Sequence, residues 1–476
     1  MSFHLYDTAL AATRPFVPIT PGFAGIYYCG PTVQSGPHLG HVRSALVFDL
    51  LARWLRSSGY SVRVVRNITD IDDKILVNSA TSFEDDYSGE HAEEPWWALS
   101  TRVTRIFDRT YDALGIDAPD VEPRATGHIP EIHALITRLI DSGHAYVVEG
   151  ESSGVFFDVS TDPDYGSLTR QALDAMRSGE DSVLGKRNPQ DFALWKSHKS
   201  DEPESSSWSS PWGPGRPGWH IECSAMATRY LGEHFDIHGG GLDLRFPHHE
   251  NEVAQSRSVG HGFANYWMHN GLVTYHGEKM AKSVGNVVSP QDLLDAYGPL
   301  VLRYYLSTAH YRSSLDYQDG SLEEAATAVR RIESFLRRAV ESGVVVGKVP
   351  PRFAAAMDDD LNVPQALAVL HETVRRGNLV LAREEDVRPV ASEVLAMTDA
   401  LGLTALMDLA PAEESSSVAM ASLSVLVESL LQDRVSARES KDWARADTIR
   451  DQLRTAGVIV SDGSTGSIWE LGSGVS

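Results

Sequence analysis

The sequence predicts an α/β chain: a parallel-sheet domain carrying an insertion, then a helical bundle, then a small C-terminal α+β module. Three observations predict it. A strand, loop, helix, strand order runs from Gly25 to Val65, helix-spaced apolar faces take over beyond Asp316, and short β-rich segments with glycine turns close the chain.

Gly25-Ile26-Tyr27-Tyr28 is short, apolar and rich in β-formers, and Cys29-Gly30-Pro31 must end it. After a loop to Gly36-Pro37, Val42, Ala45, Leu46 and Leu50, with Val47, Leu51, Trp54 and Leu55, recur at helix spacing until Gly59. Ser61 to Val65 is a second strand. Such a crossover unit is right-handed, and ligands of its sheet sit beyond the carboxyl ends of the strands. Cys29 and His38 therefore flank that crevice, unless the unit is scaffold alone.

The insertion spans about 119–217, with a helix at Ile129 to Ser142, short strands at Ala145 to Val148 and Val155 to Val159, and a long loop from Asp201 to Gly218 leading to Trp219. Residues 1–270 form the sheet domain, 271–318 a linking region and 319–410 the bundle, with helices at Ala325 to Val340, Pro364 to Glu384 and Val387 to Leu401. The last module, 411–476, starts with a linker from Pro411 to Ser417. A long helix, a strand at Val458 to Val460 and a turn through Gly463 and Gly466 to Trp469 follow.

Composition narrows the function. With 476 residues and ordinary apolar content, the cores are large enough to need no staples. No run of about 18 apolar residues occurs and the first residues do not resemble a signal peptide, so a cytoplasmic chain without a membrane partner is expected. The net charge of -23 argues against nucleic-acid binding over the whole surface but leaves room for a local patch. Acid is locally concentrated, as in Glu84-Asp85-Asp86 with Glu90, Glu93 and Glu94, a stretch without Lys or Arg that reads as a solvated loop. The two cysteines, Cys29 and Cys223, are either buried small apolar residues or something more specific than a disulfide.

No P-loop is present. Pro37-His38-Leu39-Gly40-His41 instead puts two imidazoles at a helix N-terminus, where free amides and the helix dipole favour phosphate; the plainer reading is that they only cap the helix. Gly40 lets a flat base or ribose approach the backbone. Lys279-Met280-Ala281-Lys282-Ser283, followed by Gly285-Asn286, sets two ammonium groups on a loop able to close over a triphosphate, although alone it reads as a solvated basic turn. Together the two segments resemble the HIGH and KMSKS signatures of class I aminoacyl-tRNA synthetases, in the expected order, which implies a Rossmann-like catalytic domain. In that chemistry an ionised carboxylate attacks the α-phosphate of ATP, supplied with Mg2+, and catalysis is positioning plus neutralisation of phosphate charge by His38, His41, Lys279 and Lys282. Asp243, in Gly239-Gly240-Gly241-Leu242-Asp243, is the candidate for the ribose hydroxyls.

His248 and Glu252 lie at i and i+4 and can share one metal ion with Cys29 and Cys223, a set that suits zinc; on the residues alone His238, His249 or Glu250 could substitute. The segments Tyr28 to Val33, Arg66 to Lys74, Pro217 to Ser224 and Phe246 to Glu252 resemble those of the cysteinyl-tRNA synthetase family. The resemblance implies that Cys29, Cys223, His248 and Glu252 bind one Zn2+, and that Gly30, Thr69, Trp219 and His238 surround L-cysteine. A soft thiolate binds zinc where a serine hydroxyl does not, so no editing domain is needed. It also implies transfer of cysteine to the 3′-terminal adenosine of its tRNA by a monomer.

The last helix carries Arg434, Arg438, Lys441, Arg445, Arg450 and Arg454 against Glu439, Asp442, Asp447 and Asp451, which on composition alone is an ordinary solvated helix. Trp443 among these charges offers a stacking surface for an unpaired base. By the same resemblance Arg438, Trp443, Asp447, Arg450 and Asp462 contact the anticodon. Ala281 for serine, Leu39 for isoleucine and the 84–94 segment depart from the family's pattern. Two rivals stand beside this reading: a mycothiol-pathway ligase joining activated cysteine to an amino sugar, and a zinc-stabilised nucleotide- or RNA-binding module without turnover.

Overall fold

The structure is a computed structural model that describes residues 3–85, 87–149, 154–171, 185–279, 288–340, 344–407, 409, 412–463 and 466–471, with backbone alone at 279, 340, 412–422, 461–463, 466–468 and 470–471. It divides into two compact units, the second comprising 408 onward with 340–342.

At the centre of the first unit lies a four-stranded parallel sheet in the order Phe263–Asn270, His234–Gly241, Phe23–Tyr28, Ser61–Arg66. The helix Leu39–Ser57 makes the expected crossover, burying Val42, Leu46, Phe48, Leu50, Leu51, Trp54 and Leu55. Because strands buried on both faces need apolar side chains throughout, Ile26, Tyr27, Val65, Ile237, Tyr266 and Met268 are all inaccessible.

The insertion folds into an antiparallel sheet ordered Ala145–Val148, Gly154–Phe157, Phe192–Ser197, Gly215–Pro217. The second strand stops at Phe157 rather than Val159, because the Asp158 carboxylate accepts the Ser160 N–H and starts a 3-10 turn, Val159–Thr161. The long 201–218 loop contains a 3-10 turn, Glu204–Ser206, and ends as an edge strand, where Pro217 is tolerated. Phe157, Leu194, Trp195 and Ile221 form the core between this sheet and the helices Ile129–Asp141 and Trp219–Leu231.

A small sheet of Glu278–Lys279, Val273–Tyr275 and Leu315–Tyr317 leads to the helices Ser321–Val340, Pro351–Asp358, Val363–Ala382 and Arg388–Ala400. In the second unit the expected linker is helical from Ala412, since Ala412-Glu413-Glu414 is strongly helix-forming. The expected single long helix is two, Ala412–Glu439 and Trp443–Thr455: Lys441 takes a φ of 59° and the Asp442 carboxylate caps the second by accepting the Arg445 N–H. A hairpin of Val458–Gly463 and Gly466–Leu471 follows, with Val427, Leu431, Ile449, Leu453 and Val458 as the core. Among the described residues no helix is long and apolar enough to cross a membrane.

Candidate active site

Three elements converge beyond the carboxyl ends of the parallel strands. Cys29 directly follows Phe23–Tyr28, its N–H bonded to Gly239 O at 3.0 Å, so the neighbouring strand fixes its position. Cys223 sits in the second turn of Trp219–Leu231, and His248 and Glu252 share one face of His248–Ser258. Their sulfur, nitrogen and oxygen atoms all lie within 4.8 Å of one another, and all four residues are buried. Cys29 Sγ is 3.8 Å from Cys223 Sγ and 3.6 Å from Glu252 Oε1, and His248 Nε2 is 3.1 Å from Glu252 Oε1.

Two thiols and a carboxylate in one dry space are hard to ionise together. Burial and the neighbouring Cys223 push the Cys29 thiol well up, whereas Cys223, against its burial, is lowered to about 6 by hydrogen bonding from Cys29 and by His248. A divalent cation among these atoms would let both thiols ionise, and two sulfurs, one imidazole and one carboxylate are a donor set that suits zinc.

Histidines outside that quartet surround it. His238 Nε2 is 2.7 Å from Glu252 Oε2 and His249 Nε2 is 3.3 Å from Cys29 Sγ, so Cys29, His238, His249 and Glu252 make a second, overlapping set. His220 Nδ1 lies 3.0 Å from His248 Nδ1, leaving Nε2 of His248 directed toward Glu252. Burial pushes the pKa values of His220 and His249 well down and that of His269 to about 3, so these rings are neutral and act as hydrogen-bond relays. The chain His249 Nδ1, His269 Nε2, His269 Nδ1, Thr8 Oγ1 runs at 2.8 and 2.9 Å. Of His220, His249 and His269, the sequence points to His249 alone, and only as a possible substitute ligand.

The residues assigned to the amino acid border the same space. Gly30 donates its N–H to Asn67 Oδ1 at 2.9 Å, and a Cβ at Gly30 would stand 1.7 Å from Asn67 O. Thr69 Oγ1 donates to Glu222 Oε2 at 2.9 Å, a carboxyl whose pKa burial raises well above its ordinary value. Trp219 stacks on His248 with centroids 4.4 Å apart, and His238 is fully buried. Glu250, unforeseen as anything but a spare ligand, accepts the N–H groups of Gly166 and Thr169 at 2.9 and 2.8 Å and the Thr169 hydroxyl at 2.9 Å. It ties the insertion to the helix bearing His248 and Glu252.

On the nucleotide side, His38 caps Leu39–Ser57: its Nδ1 accepts the Gly40 N–H at 3.1 Å while His41 Nδ1 accepts the His38 N–H at 3.2 Å, and the rings stack at 3.7 Å. Both histidines thus do serve as caps, and they still present a paired imidazole edge at the helix N-terminus. A Cβ on Gly40 would come within 2.9 Å of the His38 ring. Asp243 lies in the 3-10 turn Leu242–Arg245 that follows His234–Gly241, at the same end of the sheet. The Lys279 backbone pairs with Thr274, whereas its side chain and residues 280–287, Lys282 included, lie outside the described residues. In the second unit Arg438 closes its helix, Trp443 is 60% exposed at the start of the next, and Asp447 and Arg450 pair at 3.2 Å. The side chain of Asp462 lies outside the described residues.

Comparison with known proteins agrees along the chain. Family models match as follows: tRNA synthetases class I (C) catalytic domain at residues 15–327, DALR domain at 352–406, and cysteinyl-tRNA ligase anticodon binding domain at 420–469. The cysteine–tRNA ligase of Kocuria rhizophila is 60% identical over 480 residues, covering 99% of this chain and 100% of that relative. Those of Arthrobacter sp. (strain FB24) and Micrococcus luteus are 56% and 54% identical, covering 98% and 99% of this chain and 99% and 100% of the relatives. Among solved structures, Mycobacterium tuberculosis methionyl-tRNA synthetase in complex with methionyl-adenylate superposes with a TM-score of 0.56 at 17% identity, covering 81% of this chain and 91% of that one. The LeuRS of an Agrobacterium radiobacter K84 ternary complex gives 0.56 at 12%, covering 82% and 84%. Identities this low establish the fold alone.

Proposed function

The chain belongs to the class I cysteinyl-tRNA synthetase family, and from that premise we propose that it activates L-cysteine with Mg2+-ATP and passes the cysteine to the 3′-terminal adenosine of its tRNA. The observation that carries the substrate is the buried convergence of Cys29, Cys223, His248 and Glu252 beside the His38–His41 helix end. Zinc held by those four residues would supply a soft acid that binds the substrate's thiolate and leaves a serine hydroxyl unheld.

In this reading His220 and the stacked Trp219 orient His248, while Gly30, Thr69 and His238 wall the amino acid. The cysteine carboxylate attacks the α-phosphate, forming the adenylate and expelling pyrophosphate. His38 and His41, at a helix N-terminus, together with Lys279 and Lys282, neutralise the phosphate oxygens, and Asp243 holds the ribose. A terminal hydroxyl of the tRNA then attacks the adenylate carbonyl and AMP leaves. We assign 1–270 to catalysis with its insertion at about 119–217, 271–318 to a linking region that carries the lysine loop, 319–410 to the bundle and 411–476 to the anticodon, in a cytoplasmic monomer.

The amino-sugar ligase reading is not favoured, because residues 420–469 match an anticodon-binding domain. Cysteine-dependent ATP–pyrophosphate exchange, with serine as control, followed by tRNA charging, tests the proposal. Exchange with cysteine alone and cysteinylated tRNA are expected; comparable exchange with serine, or charging of glucosaminyl-inositol in place of tRNA, would overturn it.

A further inference from the structure

The helix Trp96–Ala113 buries Leu99, Val103, Phe107 and Tyr111 on one side and presents Arg102, Arg105 and Arg109 on the other, at spacings that place them in one row. Arg105 and Arg109 are exposed and, among the described residues, have no hydrogen-bond or ion-pair partner. Arg102 is held by both oxygens of Glu94 at 2.7 Å, in a groove of about 630 Å³ that the row lines on one side and Glu90, His91 and Glu94 on the other. Trp97, 57% exposed, stands at the head of the row. Of the acids of the same helix, Asp108 lies toward Glu122 and Arg66, while Asp112 follows Arg109 by three residues, next to the row.

The helix borders the site at both ends. Phe107 meets the His41 ring edge-on at 5.3 Å, and Ile106 faces the loop at Gly36 that leads into His38. Trp96 donates to Ser205 Oγ at 3.1 Å and packs on Trp208, against the loop that leads to Trp219. The arginines thus lie on the outer face of a helix whose inner face packs against His41, in a chain whose net charge is -23.

We propose that Arg102, Arg105 and Arg109, with Trp97, dock the acceptor end of the RNA, the arginines on backbone phosphates and the indole against an unpaired base. This rests on the reading of the chain as a cysteine–tRNA ligase. The two unpaired guanidinium groups, Arg105 and Arg109, are what a polyanion needs from a protein that elsewhere repels it, with Arg102 shared between Glu94 and the groove. An exposed indole in line with them suits a base rather than an acidic peptide.

The test uses the full chain with R105A/R109A and, as charge-preserving control, R105K/R109K. The alanine pair is expected to raise the KM for tRNA about tenfold, and to flatten the salt dependence of that KM by about one to two units of log–log slope. It should weaken binding of an RNA hairpin comprising the acceptor stem alone, while pyrophosphate exchange stays at the wild-type level and the lysine pair restores most of the loss. Unchanged KM and salt slope would overturn the docking surface, as would an equal loss of exchange, which would assign the arginines to the fold. Failure of the wild-type chain to charge any tRNA would instead sink the ligase reading.

Discussion

The carboxylate of Asp49 and the guanidinium of Arg303 meet at 2.6 Å with both side chains shut off from solvent. Asp49 belongs to the helix that His38 caps. Arg303 also donates to the carbonyls of Leu114, Gly115 and Leu401, so a single side chain joins that helix to the end of Trp96–Ala113 and to the bundle.

Removing Arg303 leaves Asp49 with Arg53 as its remaining charge partner, at 2.9 Å, and strips the carbonyls of Leu114, Gly115 and Leu401 of a buried donor. R303A is therefore expected to lower unfolding free energy by about 3–5 kcal/mol. R303M with D49M should recover part of that loss, because no buried charge is then left between the helices and Arg53 keeps Asp117 as its partner. Urea unfolding of the single and double variants checks this, and a double variant worse than the sum of its parts would count against it.

His220 is expected to act through His248. With the 3.0 Å contact between their Nδ1 atoms gone, H220A should retain fold and two thiols yet bind zinc about 10–100-fold more weakly. Metal content after dialysis against graded chelator reads this directly. C223S, which removes a proposed ligand itself, should lose the metal altogether and raise the KM for cysteine in exchange far more than that for ATP.

Trp443 and Asp447 belong to the second unit, where neither can touch the adenylate chemistry if the anticodon assignment holds. W443A with D447A is expected to raise the KM for tRNA about tenfold, one lost stack being worth about 1–3 kcal/mol. Pyrophosphate exchange should be unaltered. Equal decline of charging and exchange would remove these residues from RNA recognition.

Asp73 receives Lys196 at 2.9 Å and Arg216 at 2.6 Å, and against the opposing effect of burial these cations hold its carboxyl well below the ordinary 3.8. A depressed folded-state pKa means the unfolded chain binds the proton more readily. The contribution is thus fully present above about pH 4 and fades as pH falls toward the folded value. D73N should depress the melting temperature at pH 7 and by less at pH 3, if the fold persists there. An equal difference at both values would contradict the linkage.

The i, i+4 spacing of His248 and Glu252 is visible in the chain because a helix converts spacing into proximity. Nothing local says that Cys29 and Cys223, 194 residues apart, will lie 3.8 Å from each other; that follows from the parallel pairing of Phe23–Tyr28 with His234–Gly241. The resemblance supplied what spacing could not. The supporting histidines were missed for the same reason, His220 and His269 being ordinary core candidates until their rings meet His248 and His249. Glu250 was read as a spare ligand, yet it faces the amides of the insertion, a partner that only tertiary structure provides. The split of the last helix was carried by Ser440-Lys441-Asp442, where a capping aspartate outweighs the favourable helix formers around it.

Gly30 sets a boundary on how this pocket could be redesigned. With Asn67 O occupying the place of a Cβ at 1.7 Å, no substitution there is small. A library aimed at enlarging or relabelling the proposed amino-acid pocket has to vary Trp219, His238 or Thr69 and hold position 30 fixed, because there any Cβ meets main chain and no side-chain repacking relieves it.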